Sequence, residues 1–249
     1  MPLEWKTTKL YGLKVTHWKK HPPLGLLAAL ESEPEKEFPE STPPVRFHKF
    51  AGQTIVARTT NPRGAFLRLI TGYLITCLPP KEIFDILKEL AEKKAAFVEV
   101  PVALVEGKAT HTLVTLAKPH RASLEEVLCD DAVPESKKRA LAVKAIKLFA
   151  RLNALGYRHN HPGPRNVVVM KNDEIRLIDP TLLERLPKNG LSSIERINSR
   201  ERLLQPFLDI RNRRNPHRYY PREHLHNLIA ALDSAYGAEF KRVKAKQRV

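Results

Sequence analysis

Cysteine is scarce in this sequence: only Cys77 and Cys129 occur among 249 residues. They form no C-x-x-C pair, and the histidines show no cluster at metal-ligand spacing. Two cysteines are too few for a disulfide scaffold, and the pattern argues against a Cys/His zinc site. We therefore expect a protein of a reducing compartment and predict a cytoplasmic location.

Long apolar runs are also missing. No stretch approaches the roughly 18 consecutive apolar residues of a transmembrane helix, and the first ten residues, M-P-L-E-W-K-T-T-K-L, lack the apolar core of a signal peptide. We therefore predict neither a membrane span nor a secretory leader. The composition, 42% hydrophobic and 28% charged, is typical of a globular chain that can hold one large domain or two small lobes.

Acidic residues are outnumbered by basic ones. The 27 Asp and Glu against 43 Lys and Arg give a net charge of +16 and a pI near 9.9. Such a surface attracts phosphate-bearing partners, here a glycolipid, a nucleotide or a nucleic acid, although a plain solvated basic surface gives the same numbers. The one acidic block, residues 31–44, is proline-rich and is expected to be an exposed loop.

The densest basic stretch is Arg211–Arg222, R-N-R-R-N-P-H-R-Y-Y-P-R. Interleaved arginine and tyrosine suit phosphate contact combined with base stacking, and the same residues also suit an ordinary basic loop. A second stretch, Arg63–Cys77, is apolar and carries two arginines, Arg63 and Arg68. It is predicted to be a helix that packs in the core or lies against a membrane surface or an anionic partner. The candidate phosphate contacts are Arg63, Arg68, Arg211, Arg213, Arg214 and Arg218.

The order of predicted elements changes near residue 117. Before it, a hairpin at 45–59, a helix at 81–94 and a strand pair at 97–105 and 111–116 predict a sheet-rich part. After it, the patterns predict a helix capped by Ser123, a long helix at 134–155, and helices near 193–208 and 224–236. We therefore predict an α+β chain with a first lobe at 1–117, a helical lobe at 118–240 and a frayed basic tail at 241–249.

A distinctive segment runs from Tyr157 to Glu184. Two β-branched runs, V-V-V-M and I-R-L-I, flank the turn sequence K-N-D-E, with Asn166 before the first run and Asp179 after the second. Alone, each polar residue is a common turn former. Together, across a hairpin that follows a long helix, they form a candidate site.

This succession resembles the bilobal protein-kinase fold, and specifically the bacterial lipopolysaccharide-core kinases that phosphorylate Kdo or heptose. The resemblance covers roughly residues 45–232 and is carried by three stretches. They are T-I-V-A-R with N-P-R-G-A-F-L-R-L-I (third strand), P-K-E-I-F-D-I-L-K-E-L with F-V-E-V-P-V-A-L-V-E-G (C-helix and fourth strand), and H-N-H-P-G-P-R-N-V-V-V with I-R-L-I-D-P (catalytic loop and metal-binding acid).

The resemblance implies ATP and Mg²⁺ as cofactors, with Asn166 and Asp179 as metal ligands and Glu82 at the C-helix glutamate. His161 stands where the catalytic aspartate would be, and Arg58 where the third-strand lysine would be. There is no G-x-G-x-x-G, and Pro180-Thr181 replaces the usual Phe-Gly. A neutral His161 could accept a proton, whereas a protonated one would repel magnesium.

Two functional hypotheses remain open at this point. The first is a kinase-like protein that binds ATP and magnesium, either as an atypical phosphotransferase acting on a sugar hydroxyl or as a pseudokinase. The second is a non-catalytic basic module that holds nucleic acid or the phosphates of anionic lipids or glycans.

Overall fold

The computed structural model describes residues 4–39, 43–60, 66–70, 73–187 and 222–247. They fall into two units, Met1–Pro119 with Pro180–Leu183, and His120–Asp179 with Glu184–Val249. The fold is mixed α+β, with a large antiparallel sheet and several helices, as predicted. No helix in the described part of the chain is both long enough and apolar enough to cross a membrane.

A seven-stranded antiparallel sheet organises the first unit. Its strands are β1 (Trp5–Leu10), β2 (Leu13–Trp18), β3 (Lys36–Phe38), β4 (Val45–Phe50), β5 (Gln53–Thr60), β8 (Val100–Glu106) and β9 (His111–Leu116). Their order in the sheet is β1-β2-β8-β9-β5-β4-β3. The inner strand β8 is buried along nearly its whole length, as expected for a strand covered on both faces.

Two helices accompany this sheet. In α1 (Pro23–Glu31), the buried Leu26 and Leu27 join a hydrophobic cluster with strand residues such as Val15. In α2 (Pro80–Glu92), a proline at the first helical position starts the helix, and the apolar stripe predicted from the sequence is buried. Each fully buried side chain of that stripe contributes about 1.5–3 kcal/mol of transfer free energy.

Two sequence predictions for this unit are corrected. The predicted helix at 63–77 is instead an antiparallel hairpin of β6 (Phe66–Ile70) and β7 (Tyr73–Cys77). F-L-R-L-I and Y-L-I-T-C are short, rich in aromatic or β-branched residues and separated in the sequence by Thr71-Gly72, which favours a hairpin over a helix. The acidic block at 31–44 is not entirely loop, because β3 lies within it and pairs with β4.

In the described residues, the second unit has three α-helices and two small sheets. The helices are α3 (Leu124–Cys129), α4 (Glu135–Ala154) and α5 (Arg222–Lys246). One sheet has the order β10 (Ala122–Ser123), β12 (Val167–Val169), β13 (Ile175–Leu177), and the other pairs β11 (Tyr157–His159) with β14 (Leu183–Arg185). The predicted hairpin is confirmed, with Val167 opposite Leu177.

Local signals account for the boundaries of two of these helices. Ser123 caps α3 through the reciprocal hydrogen bonds of a capping box with Glu126, as predicted. α4 is followed by Gly156 at φ +94°, a backbone conformation that glycine adopts without a steric penalty. Residues 193–208, for which the sequence predicts a helix, lie outside the described residues.

The last helix, α5, packs against α4 and is longer than predicted. Asn153 Nδ2 donates to Tyr236 Oη at 2.7 Å, and buried Glu239 forms ion pairs with Arg151 on α4 and with Arg242 on its own helix. The helix reaches Lys246, so most of the tail predicted to fray is helical. Alanine, lysine and arginine, which favour helices, dominate that tail.

Candidate functional site

The hairpin of the second unit brings Asn166 and Asp179 to the same end. Asn166 closes a 3₁₀ turn, Pro164–Asn166, immediately before β12, and Asp179 comes two residues after β13. The Ile178 N–H donates to the Asn166 carbonyl at 2.9 Å, which extends the antiparallel pairing past the last ladder pair. Two oxygen-bearing side chains distant in sequence are therefore carried on adjoining backbone.

The amide of Asn166 is oriented by the loop that precedes it. Its Nδ2 donates to the His161 carbonyl at 2.8 Å and lies 3.4 Å from His161 Nδ1. Because the NH₂ end serves as the donor, Oδ1 is the end that can accept a hydrogen bond or ligate a cation. Amide and carboxylate oxygens are the ligands that Mg²⁺ prefers in proteins.

A buried histidine, His159, connects the loop to the strand exit. The His161 N–H donates to His159 Nδ1 at 3.3 Å, and His159 Nε2 lies 3.2 Å from the Asp179 carbonyl oxygen. Nδ1 must then be the acceptor and Nε2–H the donor, which is the neutral tautomer. Burial lowers the pKa of His159 to about 4, against the opposing effect of the Asp179 charge. The ring therefore stays neutral and holds two backbone positions together.

Asp179 has an unusual backbone conformation. Its φ is +58°, in the left-handed region, where aspartate is better tolerated than most residues but still carries a steric cost on the order of 1 kcal/mol. The residue is half-buried, and its carbonyl is engaged by His159. Residues held in sparsely populated conformations cluster at functional sites, and this observation motivates a functional hypothesis for Asp179.

The loop is further fixed by Glu184 at the strand that pairs with β11. Glu184 forms an ion pair with Arg158, and its other carboxylate oxygen accepts from Asn160 Nδ2 at 2.8 Å. These contacts hold the residues on either side of His159. The loop that carries His161 is therefore held by side-chain contacts of Arg158, Asn160 and Asn166 as well as by the His159 ring.

The first unit places Arg58 differently from the expectation. The guanidinium of Arg58 makes a bidentate ion pair with Glu99, at 2.8 and 2.7 Å, and a 3.2 Å hydrogen bond to the Thr115 hydroxyl. Both charged side chains are more than 90% buried. Glu82, the expected partner, is exposed in the first turn of α2. Glu99, and not Glu82, is therefore the acidic partner of Arg58.

Of the six arginines predicted to contact phosphate, only Arg68 lies within the described residues. Arg68 lies on β6 opposite Ile75. The other candidate phosphate contacts lie outside the described residues: Arg63, Arg211, Arg213, Arg214 and Arg218. Within the described ranges, no group of three or more His, Cys, Asp or Glu side chains is arranged to hold a metal ion. Magnesium bound largely by phosphate oxygens and water requires only one or two protein ligands, a set that Asn166 and Asp179 could supply.

Sequence reasoning missed two residues that organise these sites. His159 stands two positions before His161, which is where the resemblance to a kinase catalytic loop implies the histidine of H-R-D, so that resemblance could have indicated it. Glu99 carried none, because its partner is 41 residues away in sequence. No protein-family model matches the chain, and no curated protein matches its sequence.

Proposed function

We propose that this is a kinase-like protein that binds ATP with magnesium through Asn166 and Asp179. The observation that carries the proposal is the polar chain His161–His159–Asp179, with Asn166 bonded to the same loop. Through a buried neutral ring it joins the backbone N–H of His161 in the loop to the backbone carbonyl of Asp179 at the strand exit. An arrangement of this kind holds two metal-ligand side chains at fixed backbone positions, which phosphate binding through magnesium requires.

The order of elements supports a bilobal kinase-like organisation. A strand that carries a buried cation near its end, β5 with Arg58, is followed after the β6–β7 hairpin by helix α2 and the strand pair β8–β9. A largely helical unit that carries the loop and hairpin comes next. The kinase pattern has the same succession, with the cation on the third strand and the helix after it. Here the acid that neutralises the cation lies after the helix, at Glu99.

We infer nucleotide binding without efficient phosphoryl transfer. Bound magnesium would neutralise phosphate charge, while Asn166 and Asp179 would position it. Asn166 Nδ2 near His161 Nδ1 favours the His161 tautomer with its proton on Nε2. That nitrogen donates a hydrogen bond and cannot take a proton from an acceptor hydroxyl, unlike an aspartate. Any residual transfer would use the acceptor class that the resemblance implies, a sugar hydroxyl on an anionic glycolipid, in the cytoplasm.

The test is a thermal-shift titration with ATP, with and without magnesium, on the wild type and Asp179→Asn. Ligand at 100 times its dissociation constant stabilises the folded state by about 2.7 kcal/mol, which gives a readily measured rise in Tm. We expect a magnesium-dependent rise in the wild type that Asp179→Asn abolishes. Asp131→Asn, at an exposed position of the same unit, makes the same charge change and should retain the rise.

Two results would contradict the proposal. No rise at saturating ATP would exclude the nucleotide site. A rise that needs no magnesium, that inorganic triphosphate reproduces and that Asp179→Asn retains would instead indicate a basic module that binds phosphate non-catalytically.

A further inference from the structure

The hairpin of β1 and β2 presents a face that is polar towards its turn, beyond the stacked pair Trp5 and Trp18. The proposed nucleotide site does not involve this face. Strand periodicity places alternate residues on one face, and the antiparallel register sets Thr7 opposite Thr16 and Lys9 opposite Lys14. The two threonine hydroxyls are 3.1 Å apart. Tyr11 lies at the turn between the strands. We call this surface the hairpin face, formed by Thr7, Lys9, Tyr11, Lys14, Thr16 and Lys20.

The two lysines of the hairpin face form an unfavourable pair. Like charges directly opposite in an antiparallel sheet repel each other and destabilise it. Lys14 has one acidic neighbour, Glu106, at 2.7 Å, whereas Lys9 forms no ion pair within the described part of the chain. Glu106 therefore neutralises Lys14, and no ion pair in the described residues neutralises Lys9. An anion bound between the two lysines would relieve the repulsion.

The turn adds an aromatic ring at the end of this basic row. Tyr11 is 85% exposed, and Leu24 is the one other large apolar residue of the described ranges that is exposed. At the opposite end, Lys20 Nζ lies 4.1 Å from the centre of the Trp18 ring, so a third cation lies beyond the threonines. Along the hairpin face, Tyr11 at the turn is followed by the lysine pair, then by the threonine pair and then by Lys20.

Edge protection accounts for only part of this pattern. Lysines on an edge strand prevent unwanted strand pairing, which explains Lys9 on β1. It does not explain Lys14, which lies on the inner strand β2, or the exposed ring of Tyr11. A membrane surface is also a poor fit, because interfacial binding needs a broad apolar face and here a single ring is exposed.

From this arrangement we propose that the hairpin face binds single-stranded nucleic acid. Lys9 and Lys14 contact the phosphates, and Tyr11 stacks on a base. Within the Thr7–Thr16 pair one hydroxyl donates to the other, and the second donates a hydrogen bond to the nucleic-acid backbone. Aromatic rings beside a basic track are the usual means of holding single strands without sequence preference. The six residues of β2 span roughly 20 Å, which accommodates about six nucleotides of a stacked strand. This inference is independent of the proposed nucleotide site.

The test is fluorescence anisotropy of the full chain with a labelled oligothymidylate of about twelve nucleotides, from about 50 to 200 mM salt. Lys9→Gln/Lys14→Gln should weaken binding and reduce the salt slope by about 1.4, since each phosphate contact on a single strand contributes about 0.7. Tyr11→Ala should weaken binding about tenfold, while Tyr11→Phe should retain it.

The control removes two lysines from the opposite edge of the same sheet, Lys36 on β3 and Lys49 on β4. Lys36→Gln/Lys49→Gln makes the same charge change, and each pair includes one lysine with an acidic partner, Glu106 for Lys14 and Glu35 for Lys49. The control should bind as the wild type does, and tryptophan fluorescence should show that every variant is folded. Equal losses in both pairs, no binding by the wild type, or preferential binding to phosphatidylserine vesicles that the hairpin variants lose would each overturn the proposal.

Discussion

Replacing Glu99 by glutamine removes the carboxylate that neutralises Arg58 inside the first unit. Both side chains are more than 90% buried, and the Thr115 hydroxyl also donates to Glu99. Removing one member of a buried pair leaves the other charge desolvated, which typically costs about 3–5 kcal/mol. The amide oxygen of the introduced glutamine can still accept hydrogen bonds from Arg58 and Thr115, so we expect the lower end of that range, about 3 kcal/mol.

The two tryptophans make the measurement specific to this unit. Trp5 and Trp18, the only tryptophans in the sequence, lie on β1 and β2, and Trp5 packs edge-on against Phe84 of α2. Urea unfolding followed by tryptophan fluorescence therefore reports the first unit. With an m-value of about 2 kcal/mol/M, a loss of about 3 kcal/mol lowers the midpoint by about 1.5 M.

Two further variants make the prediction refutable. Glu82→Gln is the matched control, since Glu82 is exposed, and it should change stability by no more than about 0.5 kcal/mol. Arg58→Met/Glu99→Leu removes both charges and should be less destabilising than Glu99→Gln alone, because neither charge is left buried. The reasoning fails if Glu99→Gln costs less than about 1 kcal/mol, or if Glu82→Gln costs as much.

Further predictions concern the second unit, with urea unfolding followed by far-UV circular dichroism. The pKa of His159 is lowered by burial from 6.5 to about 4, so the unfolded state takes up the proton first as pH falls. As the pH falls from about 7 to 5, the free energy of unfolding should therefore decrease by about 2 kcal/mol because of His159. His159→Gln should remove this pH dependence, and the same dependence in the variant would count against the buried neutral ring. Arg242 and Arg151 lower the pKa of Glu239 to about 2, so its contribution is present above pH 4.5 and is lost as pH falls towards 2. Glu239→Gln should destabilise the unit by about 2 kcal/mol at neutral pH, and exposed Glu135→Gln, in an i,i+4 pair, by less than about 0.5 kcal/mol; equal effects would refute a structural role for Glu239.

Local patterns predicted the elements that depend on neighbouring residues. The capping box at Ser123, the apolar stripe of α2 and the hairpin after Asn166 all follow from spacings of a few residues, and the structure has each of them. The placement of Asn166 and Asp179 at one end of a hairpin was predictable for the same reason. A turn of fixed length sets the strand register, and the register sets which residues meet.

Long-range pairings were not predictable. Arg58 was expected to pair with Glu82 because a family pattern places an acid on the helix, and no local spacing indicates Glu99 instead. The hairpin at 66–77 was predicted as a helix because a short apolar run lacks a decisive period. For Arg58 the sheet decided the partner, whereas for the hairpin the local signals were present and the period was misread.

The packing of α5 on α4 has a consequence during synthesis. α4 is complete once Ala154 has been made, yet the helix that covers Arg151 and Asn153 ends about ninety residues later, which takes the ribosome roughly 5–20 s at about 5–20 residues per second. Throughout that interval the face of α4 that later holds Tyr236 and Glu239 is uncovered. The nascent second unit therefore presents a helix surface that chaperones can bind.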